Sequence, residues 1–238
     1  MRGLLAGLLA LSILGTGAAA AYAAQPGPDA PAWNRTPVVG LQVGHWYAQQ
    51  LPDEQADLRD NSGAVWNGYR EVDTNYAVAE GAASLLRAEG VKVDVLPATV
   101  PPGYRADAFV AVHADQDVYG QARRGWKIAP SALTRAPDDS QRLADDIGGD
   151  YAAATELPPD LRPGAVTPDM RLYFAFNWRY YQHAIAPRTP AAIIELGFIT
   201  DEGDRQVLFD RPGVAAQGLA SGVLQFLAEE PRLASVQV

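Results

Sequence analysis

The chain has 238 residues, 48% of them hydrophobic and 20% charged; this suits one α/β domain with a full core and excludes a disordered or multispanning chain. Its 19 Lys and Arg against 28 Asp and Glu give a formal charge of −9, so nucleic acid is not an expected partner, because phosphate binding needs clustered cations. Cysteine is absent, which removes disulfides, thiolate ligands and thiol nucleophiles and leaves any metal to His, Asp or Glu.

Residues 1–24 read as an export signal. Arg2 supplies a short positive start, residues 4–14 an apolar stretch, and Ala21-Tyr22-Ala23 the small-x-small pattern of a cleavage zone. The competing reading is a retained N-terminal anchor, since residues 3–24 carry no charge. Either way the domain is expected outside the cytoplasm, as an extracellular, periplasmic or wall-associated protein, and cleavage leaves no membrane span. A Pro-rich linker follows at 25–36, then one domain at 37–230 and a short tail at 231–238.

Within the domain, residues 36–43 form a short apolar run that stops at Gly44-His45-Trp46 and read as a buried strand. Residues 47–66 show no strong pattern. A helix follows, capped by Asp73 or Thr74 and closed by Gly90, with Val78, Ala79, Ala82, Leu85 and Leu86 on one face. Residues 91–96 alternate as a strand, and 108–112 form another that runs into His113. Residues 139–154 suggest a helix, 191–194 a core strand ending on Glu195, and 214–229 a final helix with Leu219, Val223 and Leu227 inward. Alternating strands and helices imply an α/β fold: a mixed, mostly parallel twisted sheet with helices on both faces, in a single domain. Ligands in such sheets gather at the carboxyl ends of strands.

His45, His113 and Glu195 each fall at such an end. A single histidine there is more often structural; two of them with a carboxylate on a third strand point to a site. Catalytic zinc takes three ligands from His, Asp and Glu, and a free carboxylate beside it moves the proton. Glu195 suits that second role, since a carboxylate after four apolar residues is costly to bury without a task. The third ligand is Glu71 or Asp73, both near the helix start, and spacing does not separate them; Glu80 lies on the solvated face. Gly44 is read as the residue that lets the chain turn and present His45. Trp46 and Asp115 are assigned to substrate binding. His183 is read as a hydrogen-bonded histidine in an aromatic cluster with Trp178 and Tyr181.

Taken in order, Gly44-His45, Glu71-x-Asp73-x-Asn75, Val112-His113-Ala114-Asp115 and Ile194-Glu195-Leu196-Gly197-Phe198-Ile199-Thr200 resemble the zinc-dependent N-acetylmuramoyl-L-alanine amidases of the Amidase_3 type. The similarity runs from about Val38 to Leu227. It implies His45, Glu71 and His113 as zinc ligands, Glu195 as the catalytic acid and base, and peptidoglycan or muropeptides as substrate. The bond implied is the amide between the lactyl group of N-acetylmuramic acid and L-alanine. Two motifs depart from the family pattern: Asp-Pro-Gly-His-Gly is here Gln42-Val43-Gly44-His45-Trp46, and the Asn after the second histidine is Asp115. Residues 118–135, with Arg123-Arg124-Gly125-Trp126-Lys127, correspond loosely to a substrate-side loop. The alternatives are a non-catalytic or regulatory wall-binding module on the same fold, and a zinc peptidase acting on other exported peptides.

Overall fold

The computed structural model describes residues 33–230 and Leu233. The signal expected at 1–24, the linker up to residue 32 and the tail apart from Leu233 lie outside the described residues. The elements follow in chain order: β1 (Val38–Val43), β2 (Val65–Trp66), β3 (Tyr69–Arg70), α1 (Glu71–Ala88), β4 (Lys92–Leu96), β5 (Ala108–Asp115), β6 (Lys127–Pro130), α2 (Pro137–Thr155), α3 (Pro168–Arg171), β7 (Ala191–Phe198), α4 (Glu202–Arg205) and α5 (Pro212–Ala228).

Five strands form one sheet in the order β4-β1-β5-β7-β6. The first four run parallel, and β6 closes the edge antiparallel to β7. The mixed, mostly parallel sheet is therefore as expected, with its antiparallel edge in a four-residue segment too short to read as a strand.

Side chains alternate across a strand, and the alternation sorts the core into two layers. Val39, Leu41 and Val43 of β1, Val110 and Val112 of β5, and Ile194 and Leu196 of β7 share one cluster with buried residues of α1, α2 and α5. Phe109 and Ala111 of β5 and Ala191 and Ile193 of β7 enter a second cluster with Met170, Phe176 and Ile185. Three long helices thus cover one face, and the other is covered by α3, a 3-10 turn at Phe174–Phe176 and their connections. Gln42, His113 and Glu195 have the parity of this second face.

A separate two-stranded hairpin, β2–β3, precedes α1. Its turn is Asn67-Gly68, with φ of +45° and +87°, the left-handed pair that a two-residue hairpin turn demands. Beyond β7, Asp201 caps α4 by accepting the Asp204 N–H at 3.0 Å, and Pro212 opens α5, where a missing N–H costs nothing. Among the described residues no helix is long and apolar enough to cross a membrane.

Candidate metal centre and active site

His45 stands two residues past β1, in a turn of unusual backbone. His45 has φ +64° and Tyr47 φ +55°, a left-handed conformation that costs a non-glycine residue energy and persists only where its surroundings hold it. The expectation that Gly44 supplies the turn is corrected here: Gly44 is not among the positive-φ residues. Its lack of a side chain serves another purpose. A Cβ on Gly44 would lie 2.4 Å from the His113 ring, so the glycine is the floor on which that imidazole rests. Gly63 walls the other side, where a Cβ would lie 2.9 Å from both Glu71 Oε2 and the His45 ring. His45 Nδ1 lies 3.0 Å from the Asn61 carbonyl oxygen, which fixes Nδ1 as the protonated nitrogen and leaves Nε2 facing the centre.

Glu71 opens α1 directly after the hairpin. It is 4% exposed, whereas the Asp73 side chain is 57% exposed and pairs with Arg70 at 3.6 Å. Glu71 Oε1 lies 3.0 Å from His113 Nδ1 and 3.3 Å from His45 Nε2. The same oxygen accepts from Asn75 Nδ2 and the Ala114 N–H, each at 3.2 Å, while Oε2 accepts the Ala64 N–H at 2.8 Å. The fold thus brings Glu71, and not Asp73, to the two histidines. Glu80, read as solvated, pairs with Arg87 at 3.8 Å on the outer side of the helix.

One donor atom each from His45, Glu71 and His113 lies within 4.8 Å of the others, so this group can hold a metal ion. Burial opposes the charge of Glu71, but hydrogen bonds to His113 and His45 outweigh it and hold the carboxyl far below the usual carboxylate range. Burial also works against a charge on His45, yet its contacts with Glu71 raise its pKa. On His113 burial prevails and the pKa falls. An anionic carboxylate beside a neutral, buried imidazole is the protonation state that cation binding requires.

His113 and Glu195 were expected at strand ends. Both strands run further: β5 to Asp115 and β7 to Phe198. The two residues are instead register partners on neighbouring strands and, by parity, face the same side. The pairing shifts by one residue just beyond them, a bulge of the kind found where a strand re-aims side chains. Burial, then the charges of Asp115 and Glu71, push the Glu195 carboxyl well above its ordinary range, with Lys127 opposing. Glu195 Oε2 is buried and has no hydrogen-bond partner among the described residues. His45, His113 and Glu195 line one cavity of about 450 Å³, together with Asn61, Tyr173 and Asn177.

The remaining candidates sit around this centre. Asp115 forms an ion pair with Lys127, the register partner of Glu195 on its other side. Trp46 stacks on Tyr47 at 4.8 Å and leans on Tyr76 at 5.0 Å, lining a second depression that also touches His45. His183 is hydrogen-bonded, as expected, but its partner is Glu54 at 2.8 Å and not the aromatic cluster. In the loop read as substrate-side, Arg123 pairs with Asp160 at 2.9 Å and Trp126 is 9% exposed, so those two residues are engaged in packing.

The sequence reading passed over Gly63 and Tyr173, and named Lys127 only as part of the substrate-side loop. Lys127 lies on the unrecognised edge strand. Tyr173, whose hydroxyl is 3.0 Å from His113 Nε2, comes from an irregular segment without periodicity. The one available signal was the Asn67-Gly68 dipeptide, which announces the hairpin that delivers Glu71.

With this geometry in hand, comparison with known proteins is direct. No curated protein matches the chain. Solved structures do. An N-acetylmuramoyl-L-alanine amidase from Clostridium difficile 630 is 17% identical with a TM-score of 0.55, covering 82% of this chain and 98% of its own. The enzyme Ami1 from Mycobacterium smegmatis is 18% identical with a TM-score of 0.57, covering 81% and 97%. The amidase AmiC2 of Nostoc punctiforme is 15% identical with a TM-score of 0.54, covering 80% and 96%. At such identities the likeness is one of fold. The sequence itself matches the N-acetylmuramoyl-L-alanine amidase family over residues 55–225, well over half of the chain. That span contains Glu71, His113 and Glu195 and begins ten residues after His45, which the fold brings to the other three. The chain belongs to the N-acetylmuramoyl-L-alanine amidases, enzymes that hydrolyse an amide bond of peptidoglycan.

Proposed function

We propose that His45, Glu71 and His113 hold a zinc ion and that Glu195 is the acid and base of the hydrolysis, acting on the amide between N-acetylmuramic acid and L-alanine. The observation that carries this reading is the convergence of three ligand atoms, on buried Glu71 and His113 and part-buried His45, near a carboxylate that lines the same cavity as the two histidines and whose Oε2 has no partner among the described residues. Two imidazoles and one carboxylate are a donor set that suits zinc and leaves a coordination position for chemistry. Zinc supplies Lewis acidity, polarising a carbonyl and lowering the pKa of water to about 7.

The chain's own residues supply the rest. Glu195 accepts a proton from the water that attacks the lactyl carbonyl carbon. As the carbon–nitrogen bond breaks, Glu195 returns that proton to the nitrogen, leaving a carboxylic acid on the muramic side and a free amine on L-alanine. Lys127, across the ladder from Glu195 and paired with Asp115, sets its side chain beside the proton carrier. The cavity takes the chain flanking the scissile bond, and the Trp46–Tyr47–Tyr76 face offers a sugar ring an aromatic wall. The signal at 1–24 and the linker at 25–36 complete the reading as a domain exported to the cell wall.

The Glu195→Gln variant tests the assignment. It should retain about one zinc per chain by metal analysis while losing roughly 10²–10⁴-fold in turnover of muropeptide, the range a positioned acid–base group contributes. Turnover within threefold of the wild type would remove Glu195 from the mechanism.

A further inference from the structure

We propose that Tyr173 is a positioning residue for the metal centre: its hydroxyl accepts the Nε2 proton of His113 and thereby holds Nδ1 toward Glu71 and His45. The proposal rests on the zinc reading above and extends it to a residue on a different layer of the molecule.

A neutral ring that offers one nitrogen as ligand carries its proton on the other, and that proton needs an acceptor. For His45 the acceptor is a backbone carbonyl, Asn61 O, at 3.0 Å from Nδ1. For His113 the inward nitrogen is Nδ1, at 3.0 Å from Glu71 Oε1, and the outward one is Nε2, at 3.0 Å from Tyr173 Oη. His113 is only 6% exposed, so solvent does not readily replace that partner. A phenol oxygen accepts hydrogen bonds, so Tyr173 can take the Nε2 proton while the Nδ1 lone pair stays free for a cation.

The placement of Tyr173 is itself well determined. Its ring meets His113 edge-on at 5.2 Å and packs on Phe174 at 4.4 Å and Phe176 at 5.5 Å. The 3-10 turn at Phe174–Phe176 is rooted in the core of the second face. The layer covering that face therefore reaches into the metal centre through one hydroxyl.

Tyr173→Phe removes the hydroxyl and keeps the ring packing. Metal-free wild type and variant would be titrated with zinc against a chelating competitor, and the melting of both metal-free proteins recorded. The expected result is a 10–100-fold weaker zinc affinity in the variant, the usual loss when such a ligand-orienting partner is removed, with metal-free melting unchanged. Zinc affinity within twofold of the wild type would overturn the proposal. A second measurement stands independently of the variant: histidine ¹⁵N spectra of the zinc-loaded wild type should show His113 with Nε2 protonated and the metal on Nδ1, and metal on Nε2 would overturn it. Absence of zinc binding by the wild type would instead strike the underlying reading of the centre.

Discussion

At the scale of single residues, the centre depends as much on missing side chains as on present ones. Gly44 and Gly63 leave the space that the His113 and His45 rings and the Glu71 carboxylate occupy. A methyl group on Gly44 would meet the buried His113 ring at 2.4 Å, a separation that the ring must move to relieve. Gly44→Ala is therefore expected to displace the imidazole, weakening zinc binding at least tenfold and costing about 1–3 kcal/mol of stability, as overpacking does. Competitive zinc titration and urea unfolding measure the two effects, and wild-type values for both would refute the packing account. Histidine scarcity and strand position made His45 and His113 legible from sequence. Spacing alone left the Glu71–Asp73 choice open and only the resemblance favoured Glu71, because two acids two residues apart differ in burial only once the hairpin fixes the start of the helix. Tyr173 carried no signal at all, since its partner lies 60 positions away.

At the scale of elements, strands rich in β-branched residues and helices with clear apolar faces could be read with boundaries displaced by a few residues. Among the short elements that escaped are the β2–β3 hairpin and edge strand β6. Both act on the site, the first by delivering Glu71 and the second by setting Lys127 opposite Glu195. The junction after β7 depends on a single carboxylate. Asp204, 1% exposed, accepts the Gly125 N–H at 2.6 Å and the Phe198 N–H at 2.8 Å through one oxygen, fastening the run-in to β6 onto the end of β7. Asp204→Ala leaves two buried donors unpaired, each costing about 1–3 kcal/mol. Urea denaturation should register a loss of about 2–5 kcal/mol, and a loss below about 1 kcal/mol would show that water or a neighbour takes over the bonds.

At the scale of the whole molecule, the sheet carries ordinary helices on one face and an irregular layer on the other, and that second layer lines the cavity beside His113 and Glu195. Composition predicted one domain and periodicity predicted a sheet. The second layer stayed invisible because short turns and loops have no period to read. One of its attachments is ionic: Asp160 accepts from Arg123 and from Arg162, each at 2.9 Å. Burial opposes the Asp160 charge, but those hydrogen bonds prevail and hold its carboxyl at about 2, below its ordinary 3.8. A folded-state pKa below the unfolded one adds stability that is present above pH about 4 and disappears as pH falls toward 2. Melting curves of wild type and Asp160→Asn should therefore differ at neutral pH and converge between pH 4 and 2; a constant gap would assign the effect to packing.

The central claim is that a metal held by His45, Glu71 and His113 and a proton carried by Glu195 cleave the bond between N-acetylmuramic acid and L-alanine. It is tested most directly by mass spectrometry of the products formed from purified peptidoglycan by the protein as isolated, after chelation, and after zinc is restored. The account predicts stem peptides with a free L-alanine amine and glycan strands with a free lactyl carboxylate, lost on chelation and recovered with zinc. Cleavage at another bond, or the same products from metal-stripped protein, would contradict it.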